Sequence, residues 1–314
     1  MTPSTPAKPS LDSRNLVLRL STAAVFAVLF LSLLYFGEYP WARFLYLLLM
    51  SMSVFMGVRE MCLISQKTGQ QPSILAGTLI GLLLLLHFYV IGLDPLNPLR
   101  SFLSVIDPLD PLPLWIVLVA GGLIIHFGML IFKKDPLENA LTSQAVTWMA
   151  ALYMGLGLGF QQRLFMLKDS TLTNTGGRLI LALFLIVWFG DTTAYFVGST
   201  LGRHKLAPRV SPKKTWEGAF GNIAGNIAGG FLARALVCTQ WSVVDAVTLG
   251  ILLGVVGQLG DLAESAWKRS ANVKDSAMGR LSIPGHGGML DRVDSLIFAA
   301  PVLFAYVHFV HGLN

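Results

Sequence analysis

The residues most able to do chemistry are concentrated in one stretch, GDLAESAWKRSANVKDSAMGRLSIPGHGGMLDRVDS, at positions 260–295. This stretch lies between two apolar runs and combines several carboxylates and cations with a Gly-rich turn around His286. Carboxylates can bind divalent cations or move protons, and Lys and Arg can neutralise phosphate. The composition therefore favours a site for anionic or metal-bound groups over a solvated loop.

Helix geometry would bring several of these residues to one place. If the preceding apolar run stays helical, Asp261, Ser265 and Lys268 fall at i, i+4 and i+7 on one face. Asp291 and Asp294 are three residues apart at the start of the next run, so both can face one site. For Asp291 the alternative is capping of that helix, where acidic residues are favoured.

A second polar cluster precedes the apolar run at 219–237. The loop GRHKLAPRVSPKKTWEG (202–218) holds the hydroxyl and ammonium donors Ser211, Lys213, Lys214 and Thr215. Donors that lead into a helix N-terminus favour anion binding, although a basic loop could also serve membrane topology alone.

Polar residues also occur inside the apolar runs. Asp191 lies in WFGDTTAYFVG, where a carboxylate within a membrane costs roughly 2.5–3.5 kcal/mol, so a functional role is favoured over a hydrogen bond between helices. Asn222 and Asn226 share a helix face and could bond across helices or touch a ligand. Glycines at the same spacing predict close helix packing.

The composition of the 314-residue chain predicts a polytopic membrane protein. Of its residues 54% are hydrophobic and 13% charged, against roughly 25% charged in a globular domain, and mean hydropathy is +0.64. This excludes an ordinary soluble protein or a disordered chain. The two cysteines, Cys62 and Cys238, have no CxxC spacing and predict neither a disulfide framework nor a zinc site.

We predict an all-α fold of about nine transmembrane helices. The apolar runs are 17–36, 44–64, 73–93, 113–132, 140–160, 178–199, 219–237, 241–260 and 293–312. The predicted organisation is a flexible polar tail (1–14), an N-terminal transmembrane scaffold (15–172) and a C-terminal transmembrane catalytic region (173–314).

The distribution of Lys and Arg predicts a cytoplasmic N-terminus. With this orientation seventeen of these residues lie on the inner side and five on the outer side, while Arg234 lies near the outer end of its run. The charged loops at 202–218 and 260–295 then face the cytoplasm. The sequence contains no stripe of basic residues interleaved with aromatic residues, so it does not predict nucleic-acid binding.

Four sequence blocks, one of them in two parts, carry a resemblance to a known family. SAWKRSANVKD followed by PGHGGMLDRVD resembles the signature of phosphatidate cytidylyltransferases, and DTTAYFVG, HKLAPRVSPKKTWEG and GDLAES resemble that family's other blocks. The resemblance covers roughly residues 185–300. It implies transfer of the cytidylyl group of CTP to phosphatidate, yielding CDP-diacylglycerol and pyrophosphate, in a bacterial cytoplasmic (inner) membrane.

The resemblance also implies roles for individual residues. Since a phosphomonoester is largely ionised at pH 7, the nucleophile needs no general base, and we expect the aspartates to bind metal. Mg²⁺, alone or with a second cation, would be held by Asp261, Asp291 and Asp294. The expected catalytic residues are Asp261, Lys268, Asp275, His286, Asp291, Arg292 and Asp294. The expected substrate-binding residues are Asp191, Ser211, Lys213, Lys214, Thr215, Asn222, Lys274, Gly287 and Gly288.

Several alternatives stay open at the level of sequence. His286 could donate to a phosphate or only shape its turn. A secondary transporter of an anionic solute would also use an intramembrane carboxylate and Gly-interrupted helices, but no inverted repeat is visible. An enzyme that condenses a CDP-activated lipid with an alcohol would need a DG-x₂-AR pattern, which is absent. The chain could act alone or as a homodimer.

Overall fold

The described part of the chain consists largely of long helices. A computed structural model describes residues 13–94, 96–98, 100, 114–132, 138–169, 173–274, 276 and 287–313. Nine helices of 18 residues or more lie within these ranges. They are α1 (Ser13–Tyr35), α2 (Pro40–Gln66), α3 (Ile74–Ile91), α4 (Leu114–Phe132), α5 (Ala140–Met166), α6 (Thr175–Thr200), α7 (Trp216–Leu236), α8 (Val243–Ser270) and α9 (Leu290–His311).

These helices correspond one to one with the nine predicted apolar runs, which confirms the helical class. Within the described residues five of them, α2, α3, α6, α8 and α9, are long and apolar enough to cross a membrane by length and composition. Helices α5 and α7 lie outside this set because Gln, Asn and Gly dilute their apolar sequences. The number of nine spans and the orientation therefore stay predictions.

A small β-hairpin, which the sequence did not predict, lies between α6 and α7. Strands β1 (Lys205–Ala207) and β2 (Ser211–Thr215) pair antiparallel, with Lys205 opposite Thr215. The apolar pattern gave no sign of these strands because each is short and polar. Helix α7 begins directly after β2, where the Thr215 hydroxyl caps it by accepting the Gly218 N–H at 3.2 Å.

The C-terminal helices pack in sequence order, α6 on α7, α7 on α8 and α8 on α9. Glycines permit the close approach of α6 and α7: a Cβ at Gly225 would lie 2.7 Å from the Phe189 carbonyl oxygen, and one at Gly229 would lie 2.8 Å from Ile186 Cα. This confirms the predicted packing role of the glycines.

The N-terminal and C-terminal regions share one hydrophobic core. Its buried residues include Val58 on α2, Met154 on α5, Leu253 on α8 and Leu303 on α9, and α9 packs directly against α5. The predicted boundary at residue 172 therefore does not separate two hydrophobic cores, and the roles assigned to the two regions stay predictions. Of the predicted tail, residues 1–12 lie outside the described residues, and α1 already begins at Ser13.

Candidate functional site

Four helix ends and the hairpin meet at one end of the bundle, which we call the site end. Helices α6 and α8 finish there, and α7 and α9 begin there. Helix α8 continues to Ser270, ten residues beyond the predicted apolar run, which confirms the predicted helical face of Asp261, Ser265 and Lys268. Ser265 Oγ lies 3.4 Å from Asp261 Oδ1, one turn away.

Glu217 on α7 and Arg269 on α8 bind the backbone of the hairpin segment. Glu217, in the first turn of α7, accepts the Arg203 N–H at 3.1 Å and lies 2.6 Å from His204 Nδ1. The hydrogen bond with His204 lowers the pKa of the Glu217 carboxyl to about 2. From α8, Arg269 Nε donates to the Val210 carbonyl oxygen at 3.3 Å. The hairpin is thereby tied to both helices.

Three carboxylates and one lysine form the centre of the site end. Lys214 Nζ, at the end of β2, lies 2.5 Å from Asp261 Oδ2 on α8. The negative charges of Asp191, Asp261 and Asp294 act on one another, and the Lys214 charge opposes them. We call Asp191, Asp261 and Asp294 the carboxylate cluster.

Asp294 is brought to the cluster by the close approach of α8 and α9, since a Cβ at Gly260 would clash with its carbonyl oxygen. Among the described residues, the hydrogen-bond donor to its carboxylate is the Ser295 N–H, at 2.7 Å. A carboxylate can accept about four hydrogen bonds. Asp294 therefore has acceptor capacity for a further ligand.

A row of side-chain amides connects Asp191 to the interior. Asn222 Nδ2 donates to Asp191 Oδ1 at 3.2 Å, while Asn222 Oδ1 accepts from Asn226 at 2.7 Å and from Gln258 at 3.1 Å. Asn222 therefore makes hydrogen bonds between helices, one of the two interpretations left open for the asparagines, whereas Asn226 bonds to Asn222 within α7. Asn222 reaches the site through Asp191.

A second polar group, which we call the lysine network, comprises Glu264, Lys268, Ser276 and Asp291. Lys268 Nζ lies 2.6 Å from Glu264 Oε2 and 2.5 Å from Asp291 Oδ1. The other Asp291 oxygen accepts the Ser276 hydroxyl at 2.8 Å and the Ser276 N–H at 3.2 Å. Asp291 is thus held by Lys268 and Ser276, while Asp294 joins the carboxylate cluster.

The remaining predicted residues occupy varied positions. Thr215 is buried as the α7 cap, Ser211 is half-buried in β2, and Lys213, Lys274 and Arg292 are exposed. Gly287 has φ of +81°, a left-handed conformation that favours glycine, and Gly288 is buried. Asp275 and His286 lie outside the described residues, so their predicted roles stay predictions.

Two residues from the N-terminal helices were missed by the sequence analysis. Glu60 on α2 is 1% exposed and accepts hydrogen bonds from the start of α9. The Tyr153 hydroxyl on α5 lies in the field of Asp261, Glu264 and Asp294 and has no hydrogen-bond partner among the described residues. The only feature of the sequence that could have indicated a role for Glu60 is its position as a carboxylate in an apolar run. No feature of the sequence indicated a role for Tyr153.

The donor chemistry of the carboxylate cluster suits a hard divalent cation. In the described part of the chain no three His, Cys, Asp or Glu side chains are already grouped as metal ligands. Asp261 and Asp294 nevertheless offer oxygen atoms where carboxylate charge exceeds the single ammonium of Lys214. Mg²⁺ commonly takes one or two carboxylates together with substrate phosphates, so these residues fit it.

Comparisons with known proteins identify relatives across nearly the whole chain. Residues 17–310 match the profile described as the Cytidylyltransferase family. A phosphatidate cytidylyltransferase of Staphylococcus epidermidis is 35% identical over 251 residues, covering 74% of this chain and 91% of the relative.

Relatives of higher identity match over a shorter region. A phosphatidate cytidylyltransferase of Brucella abortus is 52% identical over 133 residues, 42% of this chain and 47% of its own length. One of Synechocystis is 46% identical over 134 residues, 44% of its length. The matched region thus spans about half the length of these relatives. The comparisons give no support to the transporter alternative, and the chain belongs to the cytidylyltransferase family.

Proposed function

We propose that the protein is a phosphatidate cytidylyltransferase, a membrane enzyme of phospholipid biosynthesis that converts CTP and phosphatidate to CDP-diacylglycerol and pyrophosphate. The family match over residues 17–310 supports the reaction. The observation that carries the proposal is the carboxylate cluster facing Lys214 where four helices end. A lipid phosphate at the membrane interface and a soluble nucleotide can both reach such a position.

In the proposed reaction a phosphatidate oxygen attacks the α-phosphorus of CTP. A new P–O bond forms, the bond between the α-phosphorus and the bridging oxygen breaks, and its electron pair leaves with pyrophosphate. The attacking phosphomonoester has its second pKa near 6, so it is already largely ionised at neutral pH. The protein's task is to bring two polyanions together and to stabilise charge at the leaving group.

The two polar groups of the site end have separate roles in this proposal. Lys214 and Lys268 are ammonium groups held by carboxylates, and each can turn towards phosphate oxygens when substrates bind. Asp191 is the member of the cluster that lies on α6, and it accepts a hydrogen bond from Asn222. The hairpin places Lys214, while Lys213, Lys274 and Arg292 are exposed and are proposed to contact the nucleotide or lipid phosphates.

Mg²⁺ is proposed as the cofactor, alone or with a second cation, and would be held by Asp261 and Asp294. When bound, it supplies positive charge to the phosphate oxygens and orients them. Asp291, the third predicted ligand, is paired with Lys268 and would have to leave that ion pair to contact a metal. We therefore propose that Asp291 mainly holds Lys268.

The direct test is incorporation of radiolabelled CTP into lipid by the purified protein. We expect labelled CDP-diacylglycerol when phosphatidate and Mg²⁺ are both present, and no product when either is omitted or when EDTA is added. Diacylglycerol in place of phosphatidate is the matched control, since it lacks the attacking phosphate. Failure to label lipid under the complete conditions would contradict the proposed function.

Orientation completes the proposal, because CTP is available only in the cytoplasm. We propose that the site end faces the cytoplasm of a bacterial inner membrane, in a single chain or a homodimer. A cysteine introduced at Lys213 should react with impermeant maleimide in inverted vesicles and not in intact cells. The native Cys62 and Cys238 are buried and give little background. Labelling of intact cells would reverse the orientation.

A further inference from the structure

The buried carboxylate of Glu60 connects α2, one of the N-terminal helices, to the site end by hydrogen bonds. Glu60 is 1% exposed and lies in the C-terminal part of α2. Glu60 Oε1 accepts the Met289 N–H at 2.9 Å, and Oε2 accepts the Leu290 N–H at 2.8 Å. A side chain from a distant helix therefore binds the first backbone donors of α9.

These contacts replace a local cap. Met289, the N-cap residue of α9, has helical φ and ψ angles and makes no side-chain cap hydrogen bond. The first N–H groups of a helix have no partner within it, and negative charge is favoured beside them. The Glu60 carboxylate meets both requirements, so the position at which α9 starts depends on α2.

The same carboxylate contacts the segment that follows α8. Ser276 is fully buried, and its Oγ lies 3.1 Å from Glu60 Oε2 and 2.8 Å from Asp291 Oδ2. The hydroxyl stands between the two carboxylates, and the Ser276 N–H also donates to Asp291. Glu60 thus contacts both chain segments that bring Asp291 to Lys268.

We propose that Glu60 is a positioning residue: it fixes the start of α9 and Ser276 so that Asp291 holds Lys268 in the site end. The inference rests on the proposed function for its kinetic consequence, but not for its structural one. Burying a carboxylate costs free energy unless hydrogen bonds compensate it, so the hydrogen bonds of Glu60 to Ser276 and to the start of α9 argue for a local geometric purpose.

The test compares Glu60→Gln with Glu38→Gln in the full-length protein. Glu38 is a matched control because it also accepts a backbone N–H, that of Asn174, but at the opposite end of the bundle. For Glu60→Gln we expect kcat to fall about 10- to 100-fold, as for residues that orient active-site ligands, with a smaller change in KM for CTP. Glu38→Gln should leave kcat unchanged.

Hydrogen exchange supplies a readout that does not depend on activity. In Glu60→Gln the amides of Met289 and Leu290 should exchange faster, while those at the Ser242 cap of α8 should keep the wild-type rate. Wild-type turnover in Glu60→Gln, or faster exchange at both helix starts, would overturn the positioning role. If the wild-type protein has no activity but Glu60→Gln shows the expected change in exchange, only the proposed function would be contradicted.

Ser276→Ala is the second variant and keeps the inference testable if Glu60→Gln does not fold. It removes only the hydroxyl between the two carboxylates, and we expect a smaller fall in kcat. Where both single variants fold, their effects on kcat should not be additive, because the Ser276 hydroxyl contacts both Glu60 and Asp291. The proposed positioning role of Glu60 would be overturned if Ser276→Ala kept the wild-type kcat. It would also be overturned if the effects of the two substitutions were fully additive in the double variant.

Discussion

The packed pair of helices α8 and α9 has buried or half-buried aspartates at each end of the pair. The aspartates at the two ends have different hydrogen-bond and charge partners. At the end opposite the site, Asp245 accepts the Ser242 N–H at 2.6 Å and the Tyr306 hydroxyl at 2.6 Å, and His311 Nε2 lies at 3.3 Å. At the site end, Asp261 and Asp294 share the charge of Lys214 with Asp191.

The comparison separates structural carboxylates from those available to a ligand. Asp245 closes a capping box on α8 and ties it to α9, so its acceptor positions are largely filled. Asp294 has one donor among the described residues and lies beside other negative charges. The same residue type thus supports packing at one end and leaves binding capacity at the other.

The largest expected effect comes from removing a charge from the carboxylate cluster. Asp294→Asn should leave the protein folded but lower turnover by at least about 10²-fold, as when a charge-stabilising group is removed. The loss should extend across the pH range because the amide is neutral at every pH. Near wild-type turnover would remove Asp294 from the site, and a residual rate that rises with pH would make it a general base.

The two lysines of the SPKKT segment provide a second test. Lys214 contacts Asp261, whereas its neighbour Lys213 is exposed. We expect Lys214→Gln to lower kcat/KM for CTP about 10- to 100-fold, and Lys213→Gln to lower it less, because exposed charges are screened by solvent. Equal effects of the two variants would mean that the ion pair with Asp261 does not decide which lysine contacts the substrate.

At the opposite end the prediction reverses. Asp245→Asn should keep kcat near wild type and instead lower stability by about 1–3 kcal/mol, because it weakens buried hydrogen bonds to Ser242 and Tyr306. A thermal unfolding assay in detergent, run beside the activity assay, separates the two effects. A loss of turnover at unchanged melting temperature would contradict the contrast between the ends.

Sequence patterns predicted local features of the site well and its long-range contacts poorly. Helical spacing placed Asp261 and Lys268 on one face of α8, and the glycine row predicted the contact of α6 with α7. The i, i+3 spacing of Asp291 and Asp294 did not reveal that each joins a different polar group. That division depends on partners far away in sequence.

The missed contributions share one physical cause. Glu60 acts on α9 across 229 and 230 positions of sequence, and no periodicity reports such a contact. The hairpin was missed because its strands are too short and polar for an alternating pattern. The contact partners of side chains that lie between elements depend on tertiary packing, and a single sequence does not show that packing.

The smallest expected effect concerns the Glu217 contacts that hold the hairpin. Since the Glu217 pKa is lowered to about 2, its stabilising contribution is present above the usual Glu pKa of about 4.3 and is lost as pH falls towards about 2. Hydrogen-exchange protection of the Arg203 and His204 amides, corrected for the intrinsic rate, should therefore decrease over that interval. Glu217→Gln should show weaker protection at neutral pH and no such step. Because Arg269 also holds the hairpin from α8, turnover should change less than in Lys214→Gln. A pH-independent protection in the wild type would show that the Glu217 contacts do not hold the hairpin and that Arg269 and the Lys214–Asp261 ion pair place it.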